Sequence, residues 1–326
     1  MIAVVTGASA GVGRAVVRAL AKRGIDVGVI ARGIDGLEGA RREVEACGRK
    51  CAVAIADVSN DEMVEAAALK IETELGPIDI WINNAMVSVF ARADEITPEE
   101  FRRVTEVTYL GYVWGTQTAL RRMKQRGRGT IVQVGSALAY RAIPLQSAYC
   151  AAKHAIKGFS ESLRTELLHD RVPIDVVMVE LPAVNTPQFD WSRSRMPRRA
   201  QPVPPIFQPE LIAEAIVDAA LRPKREVILG GPTALAMAAE RIAPAIADRY
   251  LARTGIDGQM TDEPADPNAP DNLFQPLAGD PGAHGRFDDR AKGFSLQMWA
   301  RRQKPALALA FATLGTFFVA RALSRT

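Results

Sequence analysis

"IAVVTGASAGVGRAVVRALAKRG" (residues 2–24) decides the fold. Its first five residues are a short apolar run rich in β-branched Val and Ile, as a buried strand requires. From Val12 the apolar positions recur at helical spacing until Gly24 stops them. Between the two halves lies "TGASAGVG", with glycines at 7, 11 and 13. Glycine at a sharp strand-to-helix turn lets the backbone approach a ligand closely. The helix N-terminus then offers amides to a pyrophosphate. Gly7, Ser9, Gly11, Val12 and Gly13 are therefore candidate dinucleotide-binding residues.

The same alternation continues outward. "DVGVI", "CAVAIADV", "IDIWINNA", "GTIVQVGS", "IDVVMVE" and "EVILG" read as further strands, with helical segments such as "DEMVEAAALKIETEL" between them. Short, nearly continuous apolar strands separated by helices predict an α/β, doubly wound parallel sheet covered on both faces. Ligands of such sheets bind at the carboxyl ends of the strands. Arg32 follows the second strand there, with no acid before Asp35. A guanidinium matches a phosphate by charge and by its donor fork, so NADP(H) is favoured over NAD(H). Asp57 and Val58 close the third strand, where a carboxylate can accept from an adenine amine. Asn84 and Ala85 close the fourth.

Ser136 ends "GTIVQVGS" on the same edge. Tyr149 and Lys153 share one face of the following helix by their i,i+4 spacing. This trio suits proton transfer coupled to hydride transfer at a carbonyl carbon. The tyrosine serves as proton donor or acceptor, the ammonium favours its phenolate, and the serine positions the substrate oxygen.

These motifs together resemble the classical short-chain dehydrogenases/reductases, over residues 1 to about 230. The matching residues are "TGASAGVG" (6–13), "NNAM" (83–86), Ser136 and "YCAAK" (149–153). The resemblance implies a seven-stranded Rossmann-type domain, a homo-oligomer, a small-molecule carbonyl or alcohol substrate, and catalysis by Ser136, Tyr149 and Lys153. It also implies that Thr186 contacts the nicotinamide. Three positions depart from the family pattern: Met86 and Ala183 replace glycines, and Thr108 stands where a catalytic asparagine is usual. An alternative reading is a dinucleotide-binding regulatory or scaffold protein with weakened catalysis.

On the substrate side, Phe189, Trp191 and Met196 are expected to line an apolar pocket. Val87, Phe90, Leu138, Ala139 and Ile143 are further candidate walls, and together they favour a hydrophobic substrate. Arg193, Arg195, Arg198 and Arg199 form a basic patch or a solvated face. The net charge of +4 is too small to argue for nucleic acid. Three cysteines and the absence of a signal-peptide pattern lead to a cytoplasmic expectation, with no metal site.

The catalytic domain is expected over residues 1–253, including a helical extension that Pro244 interrupts. Residues 254–292, dense in Asp, Pro and Gly, read as a disordered linker. Residues 293–326 read as a basic, apolar tail helix. Three readings of that tail stand: a helix packed on protein, a helix lying on a membrane, or a short anchor associated with the membrane at its cytoplasmic face.

Overall fold

The computed structural model describes residues 1–300, of which Met1–Gly293 form one compact unit. Its centre is a seven-stranded parallel sheet. The strands are β1 (Ile2–Thr6), β2 (Asp26–Ala31), β3 (Cys51–Ile55), β4 (Ile80–Asn83), β5 (Gly129–Val134), β6 (Ile174–Glu180) and β7 (Glu226–Ile228). Their spatial order is β7-β6-β5-β4-β1-β2-β3, so the winding reverses between β1 and β4. In register, Val4 lies opposite both Gly28 and Trp81. The predicted parallel, doubly wound sheet is therefore the observed one.

Helices α1 (Gly11–Lys22), α2 (Ile34–Ala46), α3 (Asp61–Leu75), α4 (Pro98–Thr105), α5 (Gly111–Arg126), α6 (Ser147–His169) and α7 (Pro209–Leu221) cover the sheet. Local chemistry sets several of their ends. Asn60 caps α3 by accepting from the Met63 amide, and Thr97 with Glu100 forms a capping box at α4. A π-helical turn, Glu106–Leu110, joins α4 to α5. Ile71, Trp81, Met123 and Ile131 are wholly buried within one continuous core. Each such side chain stabilises the fold by roughly 1.5–3 kcal/mol.

Pro244 interrupts the helical extension. It opens a second helix, so residues 231–254 form α8 (Gly231–Ile242) and α9 (Pro244–Thr254), in keeping with proline's tolerance at a first helical position.

Residues 254–292, expected as a disordered linker, instead follow a defined path across the domain. Met260–Pro264 pairs antiparallel with the short strand Arg198–Ala200, and Leu273 and Phe287 are buried. Their carbonyls and carboxylates meet arginines of the catalytic domain, which compensates for the scarcity of apolar residues.

The membrane association expected of residues 293–326 is corrected as well. No helix among the described residues is long and apolar enough to cross a membrane. The uncharged run 305–320, at sixteen residues, is itself short of the ~17–20 that a span needs. The predicted tail helix lies mostly outside the described residues, which end at 300.

Candidate active site

The carboxyl ends of the strands surround a cavity of about 1090 Å³. At its floor the glycine loop turns from β1 into α1. Gly7 has φ +66°, and a Cβ there would sit 2.7 Å from the Ala85 Cα. A Cβ on Gly13 would lie 2.1 Å from the Gly7 carbonyl oxygen, so only glycine lets the first turn of α1 close onto the loop. Asn84 fastens the end of β4 to this turn, its Nδ2 donating to the carbonyls of Thr6 (3.1 Å) and Gly7 (3.2 Å).

Ser136, Tyr149 and Lys153 line the same cavity. The Ser136 Oγ accepts from the Leu138 amide at 3.1 Å, which holds the serine at the start of a short 3₁₀ turn. The Lys153 ammonium is buried and donates to the Val134 carbonyl (2.7 Å) and to the Tyr112 hydroxyl (3.0 Å). Two of its three N–H donors are thus fixed, and one remains for a ligand. Tyr112 in turn donates to Val134 O at 3.0 Å. Burial pulls the Lys153 pKa down to about 7, against the opposing pull of Glu180.

The sequence led us to expect a tyrosine made acidic by its lysine. In the structure the Tyr149 hydroxyl is instead pushed up, chiefly by burial, with only the hydrogen bond to Ser136 lowering it. Lys153 Nζ stands 5.5 Å from the Tyr149 ring centroid. At neutral pH the tyrosine is accordingly a phenol, ready to give a proton.

Thr108 does not reach Lys153. Its hydroxyl accepts from the Val87 amide (3.1 Å) and donates to the Val87 carbonyl (2.9 Å), pinning the segment after β4. Met86 lines the cavity.

Toward the tips of β2 and β3, Arg32 meets the chain's own C-terminal segment. Its guanidinium donates to the carbonyls of Asn272 (2.5 Å), Leu273 (3.4 Å) and Phe274 (3.0 Å). Among the described residues, no carboxylate lies within ion-pair distance of Arg32, and burial with nearby Arg103 pushes its pKa down. Asp57 pairs with Arg103 at 2.5 Å and accepts from Ser59, which holds its carboxyl below the usual range.

The same segment runs on over the glycine loop as a strap. Gly282 O accepts from the Gly11 amide at 3.0 Å, so one loop amide expected to face a pyrophosphate is held by the chain itself. Asp280 pairs with buried Arg14 of α1 at 3.0 Å.

The opposite end of the cavity is apolar. Phe189, Trp191, Leu138, Ile143 and Val87 line it as expected, whereas Met196, Phe90 and Ala139 do not. Leu235, Ile246 and Tyr250 of α8 and α9 complete the wall. The expected basic patch is neutralised: Arg193 and Arg195 bind Glu100, Arg198 binds Asp257, and Arg199 binds Asp190 and Glu263. Glu100 is pulled down to about 2 despite the opposing effect of burial, because both arginines and the Thr97 amide hydrogen-bond to it.

Of the residues singled out by sequence, Gly7, Ser9, Gly11, Val12, Arg32, Asp57, Val58, Asn84, Ala85, Ser136, Tyr149, Lys153 and Thr186 share this one cavity. Gly13 lies beneath the loop, against the Gly7 carbonyl. The sequence reading missed Tyr112, the strap and the walls from α8 and α9. The only signal for the last was the exposed apolar face repeated along residues 235–250.

Comparison with known proteins agrees with this geometry. The short chain dehydrogenase family model matches residues 1–196. The oxidoreductase YxnA of Bacillus subtilis (strain 168) is 31% identical over 280 residues, or 85% of this chain and 79% of that protein. The 3-dehydrosphinganine reductase of Danio rerio is 29% identical over 227 residues, or 67% of this chain and 68% of that protein. Among solved structures, an alcohol dehydrogenase from the archaeon Thermococcus sibiricus, complexed with 5-hydroxy-NADP, is 30% identical. It aligns with a TM-score of 0.59 over 70% of this chain and 95% of that one.

Proposed function

The chain belongs to the short chain dehydrogenase family, and from that premise we propose that it is an NADP(H)-dependent oxidoreductase interconverting a carbonyl and a secondary alcohol on a hydrophobic substrate. The observation that carries this reading is the convergence of Ser136, Tyr149 and Lys153 with the glycine loop on one cavity.

The residues fit a nicotinamide dinucleotide. Gly7, with φ +66°, and Gly13, whose Cβ would meet the Gly7 carbonyl, let the loop fold tightly at the floor of the cavity, where Gly7, Ser9, Gly11 and Val12 line the space a pyrophosphate would occupy. Among the described residues no carboxylate forms an ion pair with Arg32, and a positive charge at this place favours a 2′-phosphate over a bare ribose hydroxyl. The similarity to an enzyme solved with an NADP derivative points the same way. When bound, the cofactor supplies or accepts a hydride.

The protein's own part is positioning and proton transfer. Ser136 holds the substrate oxygen, and neutral Tyr149 donates a proton to it as alkoxide character develops. Lys153, fixed by Val134 and Tyr112, keeps one N–H for a ribose hydroxyl and stabilises the phenolate left behind. The resting phenol suits carbonyl reduction. Apolar walls around Trp191, Leu235 and Ile246 favour a lipophilic substrate. The similarity to a 3-dehydrosphinganine reductase supports a lipid-like carbonyl.

The test is a cofactor-coupled screen of hydrophobic ketones and alcohols with NADPH and NADH, run on the native chain and on Tyr149→Phe. Turnover is expected to fall at least about 100-fold in the variant, with cofactor affinity retained. Unchanged turnover would overturn the mechanism, and preference for sugars or small charged ketones would overturn the substrate class.

A further inference from the structure

At the adenosine end of the cavity, among the described residues, one buried polar atom lacks any partner. The Oδ1 of Asn272 is shielded from solvent and accepts no hydrogen bond, although Asn272 lines the cavity together with Arg32, Asp57 and Val58. An unsatisfied buried acceptor is destabilising unless something else completes it.

The backbone around that side chain is firmly placed. The Asn272 amide donates to Trp191 O at 3.1 Å, and its carbonyl accepts from Arg32 at 2.5 Å. The next carbonyl, Leu273 O, accepts from the Nε of Arg103 at 3.0 Å, while the Leu273 side chain is wholly buried. One guanidinium, that of Arg103, therefore holds both the Asn272–Leu273 segment and Asp57, and brings the strap to the tip of β3.

Asp57, the residue that the sequence suggested for an adenine amine, is already engaged. One carboxylate oxygen accepts from the Ser59 amide and hydroxyl (3.0 and 2.8 Å), and the other accepts from Arg103. A carboxamide, by contrast, offers one acceptor beside donors in a plane. That pattern complements the adenine edge, where the 6-amino donor adjoins a ring-nitrogen acceptor.

We infer that Asn272 reads the adenine 6-amino edge of the cofactor, so that the C-terminal strap supplies the base-recognition residue of a site built otherwise from β1 to β3. This rests on the proposed use of a nicotinamide dinucleotide. It assigns to the strap a specificity role rather than mere packing. The backbone of the strap holds Arg32 and Arg103, and the Asn272 side chain, from a residue that lines the cavity, selects the base.

The experiment is a fluorescence titration at fixed salt with NADPH and with its hypoxanthine analogue, which carries an oxo group in place of the 6-amine. The native chain, Asn272→Ala and Asn272→Asp are each titrated, and no turnover is required. The native chain is expected to bind NADPH about tenfold more tightly than the analogue. Asn272→Ala should weaken NADPH binding by a similar factor and bind the two equally. Asn272→Asp, which keeps an acceptor at that place, should retain the preference for NADPH. Equal binding of the two by the native chain, or a preference that survives in Asn272→Ala, overturns the assignment. Should the alanine variant not fold, the native and aspartate ratios decide the question alone. Failure of the native chain to bind either dinucleotide would instead overturn the oxidoreductase reading on which the assignment rests.

Discussion

Replacing Tyr112 by Phe removes one oxygen atom and leaves the ring packed where it is. That oxygen accepts from the Lys153 ammonium at 3.0 Å and donates to Val134 O at 3.0 Å. A hydrogen bond to a charged group contributes about 1.5–3 kcal/mol. Val134 O remains on the ammonium at 2.7 Å, which places the loss near the lower figure.

The bond favours the charged form of Lys153, whose pKa burial already holds at about 7. Losing about 1.5 kcal/mol should move that pKa roughly one pH unit further toward acid. The protonated lysine is present below its pKa, so the activity that needs it is lost as pH rises through that value. In Tyr112→Phe the loss begins earlier.

The assay is the pH dependence of kcat/KM for NADPH, which reports the free enzyme. At pH 8 the variant should fall about tenfold below the native chain, and at pH 5.5 by less than about twofold. Tyr149 on α6, Tyr112 on α5 and Glu180 at the end of β6 are the other titratable groups facing this lysine. Behind Glu180 stand Glu226 and Lys157. A uniform drop at every pH, with the limb unmoved, would refute the reasoning and reduce Tyr112 to packing.

Three further outcomes concern residues of the sheet, the glycine loop and α6. Glu180 is wholly buried, and burial together with nearby Glu226 pushes its pKa up to about 8, against the lowering pull of the Ser136 amide and of Lys153 and Lys157. The folded chain therefore holds a proton that the unfolded chain releases near pH 4.3. Its contribution is full below that pH and is lost as pH rises through about 8. Glu180→Gln should remove a decline of a few kcal/mol between pH 5 and pH 8 in urea denaturation; parallel declines in both chains would disprove the assignment. Gly13→Ala should abolish NADPH binding and lower stability by about 1–3 kcal/mol, because its Cβ meets the Gly7 carbonyl at 2.1 Å. Gly158→Ala, with open space at its Cβ within α6, should bind NADPH as the native chain does.

The sheet was legible because each central strand is a nearly unbroken apolar run, and a buried parallel strand has no other way to satisfy both faces. Ser136, Tyr149 and Lys153 were legible for a different reason. A strand end and an i,i+4 pair fix their positions without any long-range information.

Tyr112 was hidden by the π-helical turn Glu106–Leu110, which adds residues per turn and shifts the phase of everything after it. Thr108 and Tyr112 are four apart, yet one holds Val87 and the other Lys153. The strap was hidden more deeply. Arg32 grips three backbone carbonyls, and a carbonyl belongs to every residue, so that contact leaves no trace in composition. Leu273 and Phe287 are single anchors with no period between them. The apolar run 305–320 falls short of a span on length alone and lies outside the described residues, among which no helix is long and apolar enough to cross a membrane.

The ion pair between Arg14 and Asp280 joins residues 266 apart in the chain. A ribosome therefore delivers the whole sheet, the glycine loop and the Ser136–Tyr149–Lys153 group well before the segment that closes the adenosine end. During that interval every strand of the sheet has been made, but not the segment that covers Arg32 and holds the Gly11 amide. Any cofactor captured then would be enclosed from the outside by the last part of the domain to emerge.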